Sequence, residues 1–456
     1  MKTSKIITVI ALVAFFETIG SGFADNAKVN GKKSLESRIA ELEAKLKDAS
    51  VGGGVEGSGI KISGYVDTSY LVNLANRSNT GPVAGSSSQN TGRVFDNQFN
   101  AFNLNAVKLT IEKAKDRSKF PAGFRVDALV GEDADVLKNN KAVGATASES
   151  SLYLEQAFIN LGIPIGNGID VKVGKMVTLL DYEVVESPAN WQFSRSDGYR
   201  LSPFTHIGAQ FSYAWNDTVT TTAAVINGWD NEVFGVGGGS GNFNTDFSFV
   251  GKVDVTGPKT SFGDFTAYGV GLYGNDDPSG TATTLNRATT YIWNVGGNWV
   301  KPFGIKEMTW GIDHLYRYSQ LPTAAFVAGV QNEIVPVSAH ALSVYGKWDW
   351  VEWTSTSGRF SATWYGNNRA NGVTGNPVSM DPLATYTGST RPANTELYSF
   401  TLTQAFNVWK DTLVRLEWRR DWTPSSGVGF GTANAPSKDD LRKDQDTIAV
   451  NVVYSF

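Results

Sequence analysis

The sequence predicts an all-β fold, a transmembrane antiparallel β-barrel of about 16 strands with a short N-terminal periplasmic helix, and three observations carry it. From Ile60 to Phe456 the chain breaks into short stretches of strand character joined by links that are alternately very short and very long. Within those stretches apolar and polar side chains alternate with the period of two of a half-buried strand. No apolar run after residue 24 approaches the roughly 20 residues of a spanning helix, so any crossing is made by strands.

The short links are Lys115–Pro121, Ile163–Asn167, Asn216–Asp217, Gly257–Phe262, Pro302–Lys306, Val351–Thr356 and Val408–Asp411. The long links fall strictly between them and are rich in Gly, Ser, Asn and Asp. An antiparallel barrel in a bilayer has tight turns at one rim and extended loops at the other, whereas a soluble sandwich has no reason to sort its connections this way. Both chain ends fall on the short-turn side, which requires an even count; Leu152–Leu161 and Val337–Asp349 have ambiguous ends, so 14 or 18 strands are the alternatives.

Composition agrees. No linker-like shift of composition divides residues 60–456, which reads as one closed sheet. The 13 Trp, 16 Tyr and 25 Phe suit aromatic girdles at two water interfaces. With no cysteine there is no disulfide framework, thiol nucleophile, Cys-X-X-Cys-His haem attachment or thiolate metal site. A net charge of -4 argues against a nucleic-acid partner.

Residues 1–24 read as a signal peptide: Lys2 and Lys5 are followed by the apolar Ile6–Phe16 and the small-x-small Gly22-Phe23-Ala24, so the mature chain is expected to start near Asp25. Export together with a barrel places the protein in the outer membrane of a diderm bacterium. Residues 25–59 form a separate element. Leu35, Ile39, Leu42 and Leu46 hold heptad a/d spacings within Lys32–Asp48, predicting a coiled-coil-like periplasmic helix, either a bundle partner in an oligomer or a weakly helical tether. Five glycines in Val51–Gly59 make a flexible joint into the barrel.

In the last strand Ile448, Val450, Val452, Tyr454 and Phe456 share one face, and Thr447, Ala449, Asn451 and Ser455 the other. From Leu413 to Trp422 the apolar Val414, Leu416, Trp418 and Trp422 alternate with Arg415, Glu417, Arg419 and Asp421. Arg125 and Asp127 alternate with apolar residues between Phe124 and Val130, and Lys108, Thr110 and Glu112 alternate with Val107, Leu109 and Ile111. A charge on the lipid face costs about 2 to 4 kcal/mol at midplane, so these ladders face inward. Lys108, Arg125, Asp127, Lys172, Arg415, Glu417 and Arg419 are the expected lumen wall. About 16 strands enclose more space than wall side chains fill, so the lumen is expected to hold water.

The third long loop, Val177–Thr205, is poor in Gly and mixes charges with aromatics. A loop folded into a barrel needs apolar contacts with the wall and charges toward water, so this one is expected to narrow the channel. Its Asp181, Glu183, Glu186, Arg195 and Arg200 are the candidate constriction residues. The three acids would face basic groups drawn from Lys108, Arg125, Lys172, Arg415 and Arg419, in a transverse field that screens solutes by charge. The plainer reading is a compact surface loop with solvated charges.

Gly64-Tyr65-Val66-Asp67, Gly123-Phe124-Arg125-Val126-Asp127, Gln156-Ala157-Phe158, Gly174-Lys175, Asp181-Tyr182-Glu183-Val184, Phe193-Ser194-Arg195-Ser196, Pro203-Phe204-Thr205-His206-Ile207-Gly208, Asn227-Gly228-Trp229-Asp230 and the strand Arg415–Asp421 together resemble the OmpL-like putative β-barrel porin family. Each motif alone is weak and their order is more persuasive. The resemblance spans roughly Ile60–Phe456 and implies an outer-membrane porin, adding little about substrate. The terminal Phe456 is similar to the sorting signal of outer-membrane barrels.

Rival functions have less support. A barrel hydrolase needs a nucleophile and base, yet His206, His314 and His340 lie beside no G-x-S-x-G-like turn and read as wall or interface residues. A plugged, energised transporter needs a globular domain that Asp25–Gly59 is too short to form. The remaining alternative is a barrel sheath housing a partner such as an electron-transfer cytochrome. Glu132-Asp133-Ala134-Asp135, Asn275-Asp276-Asp277 and Asp439-Asp440 lack the spacing of a calcium loop and read as solvated turns, so no metal is expected. Gly235–Gly241 opens no helix and makes no phosphate cradle. The expectation is therefore a porin, a trimer in outer-membrane lipid, passing small hydrophilic solutes or ions passively, with no cofactor and no catalytic residue. Basic and acidic lumen groups balance, so the sequence expresses no preference between anions and cations.

Overall fold

The computed structural model describes residues 59–456 apart from 75–89, 97, 117–119, 139–151, 230–232, 235–240, 243–245, 277–287, 323–333, 367–383, 386–393 and 431–440. The signal-peptide and periplasmic-helix readings lie outside the described residues, as does Asp439-Asp440.

Sixteen strands form one closed antiparallel barrel, each hydrogen-bonded to its neighbours in sequence. They are β1 (Ile60–Asn73), β2 (Ala101–Lys113), β3 (Ala122–Val130), β4 (Leu152–Ile163), β5 (Ile169–Val177), β6 (Thr205–Ala214), β7 (Val219–Ile226), β8 (Ser248–Thr256), β9 (Asp264–Asp276), β10 (Ala288–Val300), β11 (Met308–Pro322), β12 (Ile334–Val351), β13 (Thr354–Gly366), β14 (Thr395–Phe406), β15 (Thr412–Trp422) and β16 (Asp444–Ser455). Closure is made by β1 pairing with β16, Tyr65 opposite Ser455 and Asn73 opposite Thr447. Phe456 and Gly64 exchange backbone hydrogen bonds of 2.9 and 3.0 Å at this seam. A Cβ on Gly64 would lie 2.1 Å from the Lys108 carbonyl oxygen, which is why glycine stands there.

The faces follow the periodicity. Outward Leu416, Trp418, Ile448 and Val450 are 37–46% exposed, while inward Arg415, Glu417, Arg419 and Asn451 are 0–4% exposed. Aromatic rings gather in two bands. Trp299 lies 4.7–5.7 Å from Phe262, Phe265, Phe303 and Trp310 at the short-turn rim. Toward the other rim Tyr291 stacks on Tyr318, and Tyr398 on Trp422. His314 and His340 sit on the outward face among Trp293 and Tyr316.

Besides a register shift at Asp349/Val351 beside the β12–β13 turn, two β-bulges within the described strands break the period of two. The β1–β2 register shifts between Asp67 and Thr68, leaving Asn105 as the extra residue, and the β3–β4 register shifts between Asp127 and Ala128, leaving Glu155 extra. Each bulge turns two consecutive side chains inward. Thus Asn105 Nδ2 donates to Asp67 at 2.6 Å beside inward Ala106, and Glu155 reaches Lys108 at 2.5 Å while Gln156 donates to Asp127 at 2.7 Å.

The lumen is occupied more fully than a bare wall implies. Residues 90–96 of the first long loop, helix α1 (Glu132–Lys138) of the second, and residues 178–204 of the third all fold inside. Phe95, Ala134, Leu137, Val185, Tyr199 and Phe204 pack with wall residues including Tyr65, Leu129 and Tyr153 into an apolar core within the barrel. This corrects the solvated-turn reading of Glu132-Asp133-Ala134-Asp135. These residues open α1 and are buried, because Ala134 and Leu137, three apart, share a helix face anchored in that core.

Candidate functional site

The third loop leaves the wall at Thr178, whose N–H donates to Phe204 O at 2.9 Å and closes the loop's neck. Asp181 then takes the left-handed conformation (φ 71°), which aspartate tolerates better than most residues, and turns the chain. Internal staples fix its shape. Asn190 Nδ2 donates to Val184 O at 2.7 Å and its Oδ1 accepts the Val184 N–H at 3.0 Å. Arg195 donates to Val184 O, Val185 O and Phe193 O at 3.1, 2.5 and 2.6 Å. Ser202 Oγ donates to Asp181 at 2.9 Å.

The loop is gripped by the wall it crosses. Arg415 Nη1 donates to Ser187 O, Asn190 O and Gln192 O at 3.0–3.1 Å. One strand position pair on, Glu417 accepts the Phe193 and Ser194 N–H groups at 2.7 and 3.0 Å, and Arg419 donates to Arg195 O at 2.6 Å. Arg359 on β13 pairs with Glu183 at 2.5 Å and donates to Ser194 O at 2.6 Å. On β10, Asn294 Oδ1 accepts the Asp181 N–H at 2.9 Å and Asn298 Oδ1 accepts the Tyr182 hydroxyl at 2.5 Å. Tyr365 donates to Asp197, and burial holds that loop carboxyl above the ordinary aspartate range. On β2, Lys108 reaches Glu186 at 2.7 Å.

Set against the sequence-based candidates, the loop does lie among the wall charges, but the partners differ. Of the expected acid-to-base facings, only Glu186 with Lys108 is present as drawn. Arg415 and Arg419 bind loop carbonyls instead, and Arg419 also pairs with Asp421 on its own strand at 2.7 Å. Arg125 pairs with its own neighbours, Asp127 at 3.0 Å and Glu112 at 3.6 Å. Lys172 lies 5.0 Å over the Phe158 ring, away from these contacts. Arg195 works within the loop, and Arg200 lies in the 3-10 turn Gly198–Leu201. Arg359, Asn294, Asn298 and Tyr345 were not among the candidates. The one signal for Arg359 is that it is the sole charge in a ladder of hydroxyls, Ser355, Ser357, Ser361 and Thr363.

Carboxylate oxygens of Asp127, Glu155 and Glu186 lie within 4.8 Å of one another. The Lys108 ammonium stands among them at 3.2, 2.5 and 2.7 Å, filling the place a bound cation would take.

A family model described as putative beta-barrel porin-2, OmpL-like, matches residues 59–456. The chain belongs to that family. It is an outer-membrane porin by family and fold. Among solved structures, the outer membrane channel DcaP of Acinetobacter baumannii is 12% identical, with 87% of this chain and 97% of that one covered and a TM-score of 0.53. Salmonella typhi OmpF, in a complex with daunomycin, is 10% identical over 87% of this chain and 97% of its own, with a TM-score of 0.51. At these identities the likeness is one of fold. No curated protein matches.

In this porin the face of the third loop turned to β9–β12 borders a cavity of about 420 Å³. Asp181, Tyr182, Glu183 and Asn190–Gln192 come from the loop; Tyr268, Asn298, Thr309 and Tyr345 come from the wall. Gly311 makes room for the loop, because a Cβ there would meet the Tyr182 hydroxyl at 2.4 Å. Tyr182 stacks on Tyr345 with ring centroids 4.4 Å apart, and Trp191 stands edge-on to both.

Proposed function

We propose that this porin passes small hydrophilic solutes or ions passively along their gradients, through a lumen narrowed by its third long loop, and that it does no chemistry. What supports the narrowing is the set of bonds from residues 181–197 to β2, β10, β13 and β15 on different sides of the wall. A loop held at that many points lies across the lumen and stays there on the timescale of permeation. The constriction residues on this reading are Asp181, Glu183 and Glu186, with Arg195 and Arg200 shaping the loop; Lys108, Arg359, Arg415, Glu417 and Arg419 hold it. The sheath reading has less room, because loops of the chain itself pack the interior around Phe95, Leu137 and Tyr199.

A homotrimer in outer-membrane lipid is part of the proposal, with the heptad stripe of residues 35–46, outside the described residues, as one means of association. Planar-bilayer recording of purified protein tests it: discrete conductance steps with a reversal potential set by a salt gradient are expected. A folded, inserted protein that passes neither ions nor neutral solutes would refute the reading. Native mass spectrometry in detergent reads the trimer.

A further inference from the structure

We infer that the cavity beside the third loop is a binding site for a small organic ammonium ion, a quaternary or primary amine of choline size. The inference rests on the porin reading, because such an ion reaches the cavity through the lumen. Two aromatic walls meet there: the Tyr182–Tyr345 stack, and Trp191, set at 86° and 87° to its two rings. Aromatic rings bordering a cavity hold alkylated ammonium groups, because a ring face turned to the space attracts the cation through its quadrupole.

Charge selects the same class. Asp181 and Glu183 line the cavity, and among the described residues no Lys, Arg or His does. Glu183 is neutralised by Arg359 from behind. One layer deeper, Asp313 on β11 accepts hydrogen bonds from Tyr268 at 2.5 Å and Asn294 at 2.7 Å, both neutral donors, and has no cation at ion-pair distance among the described residues. Two wall lysines stand beside the lining, each held by an acid: Lys252, 5.2 Å over the Tyr268 ring, pairs with Asp254 at 3.1 Å, and Lys347, opposite Thr309 in the strand register, pairs with Asp349 at 2.7 Å. An ammonium ion on one of these rings therefore already has a precedent within the chain. An anion would meet carboxylates, and a neutral sugar would leave Asp313 uncompensated. The buried Gln192 amide, whose Nε2 has no hydrogen-bond partner among the described residues and which lines the cavity, offers a donor to an acceptor oxygen such as the hydroxyl of choline.

Full-length protein in planar bilayers at about 0.1 M salt, where charge is screened over roughly 10 Å, gives the test. Choline is expected to reduce single-channel current at least about fivefold more strongly than glucose at equal concentration, and the effect to fall about fivefold in Trp191→Ala and recover in Trp191→Phe. Equal block by choline and glucose, or block that Trp191→Ala leaves unchanged, overturns the inference. If the folded protein carries no current, the porin reading fails instead, and saturation-transfer NMR of choline with detergent-solubilised protein decides the site. A transfer signal lost in Trp191→Ala supports it, and the absence of any signal overturns it. Heat-modifiable migration of each variant verifies that the barrel is folded.

Discussion

Replacing Arg415 by alanine should free the third loop while leaving the barrel closed. The guanidinium is 1% exposed and donates to three loop carbonyls, to Ser187 Oγ at 2.6 Å and to Asn451 Oδ1 at 2.7 and 2.9 Å. Its removal leaves the Ser187, Asn190 and Gln192 carbonyls without that donor. Each buried acceptor left unsatisfied costs about 1–3 kcal/mol, but neighbours in one network do not add fully and water admitted to the gap restores part of the loss. A net weakening of about 3 kcal/mol is expected, which is roughly two decades in the opening equilibrium of residues 187–195. The β14–β16 ladder, held by backbone bonds, is untouched. Hydrogen exchange with peptide-level resolution should then show about hundredfold faster exchange in residues 187–195 and none of that acceleration in β15 or β16. Arg415→Lys should restore less than half of the protection, because an ammonium lacks the planar fork. Unchanged protection in residues 187–195 of a folded Arg415→Ala barrel would show that the loop is not held where these contacts place it.

Further outcomes follow from the same geometry. Glu183→Gln leaves Arg359, which is 0% exposed, without its carboxylate and should destabilise the loop by about 3–5 kcal/mol; Glu186→Gln leaves Lys108 two other acids and should cost less, and both should lower cation preference in reversal-potential measurements. Asp197, whose carboxyl is raised by burial, is protonated more readily in the docked loop than in the released one, so docking should weaken as pH rises from the ordinary aspartate value through the docked one; Asp197→Asn should abolish that slope in loop exchange rates. Val450→Arg, on the lipid face near mid-strand, should lower barrel stability by about 2–4 kcal/mol in denaturant titration in lipid, whereas Thr403→Ser, facing the lumen, should not.

The barrel was legible because its two rules are written along the whole chain: link lengths sort by rim, and charges such as Arg415, Glu417 and Arg419 keep one parity against Leu416 and Trp418. Parity fails where a bulge inserts a residue, so Glu155 and Asn105 were not recognisable as lumen groups. The third loop announced itself by mixed charge and aromatics. The first did not, although Arg93-Val94-Phe95-Asp96 carries the same mixture in miniature: Arg93 pairs with Asp421 at 2.7 Å and Phe95 joins the interior core. Gly and Ser around that segment obscured it. For α1, four acidic or small residues in sequence read as a solvated turn, since a seven-residue helix has too little periodicity to reveal a buried face. Which acid meets which base was beyond the sequence altogether, because it depends on how deeply the loop descends.

That depth changes what sets ion preference. A transverse field needs opposite charges separated by water, but Glu183 touches Arg359 and Glu186 touches Lys108. At about 8 Å and an effective dielectric of about 20, a lone carboxylate acts on a passing monovalent ion with about 2 kcal/mol, and a contact pair with charge centres about 4 Å apart with at most about 0.7 kcal/mol, because its ends nearly cancel. Selection by charge thus falls to groups held by neutral donors, and Asp313, held by Tyr268 and Asn294, is one beside the cavity. Asp313→Asn at pH 8 should therefore shift the reversal potential toward anions by more than the double variant Glu183→Gln with Arg359→Gln, which removes a pair whole. If the double variant shifts it as far as Asp313→Asn does, the paired charges govern permeation after all, and the screening described by contact distance is wrong.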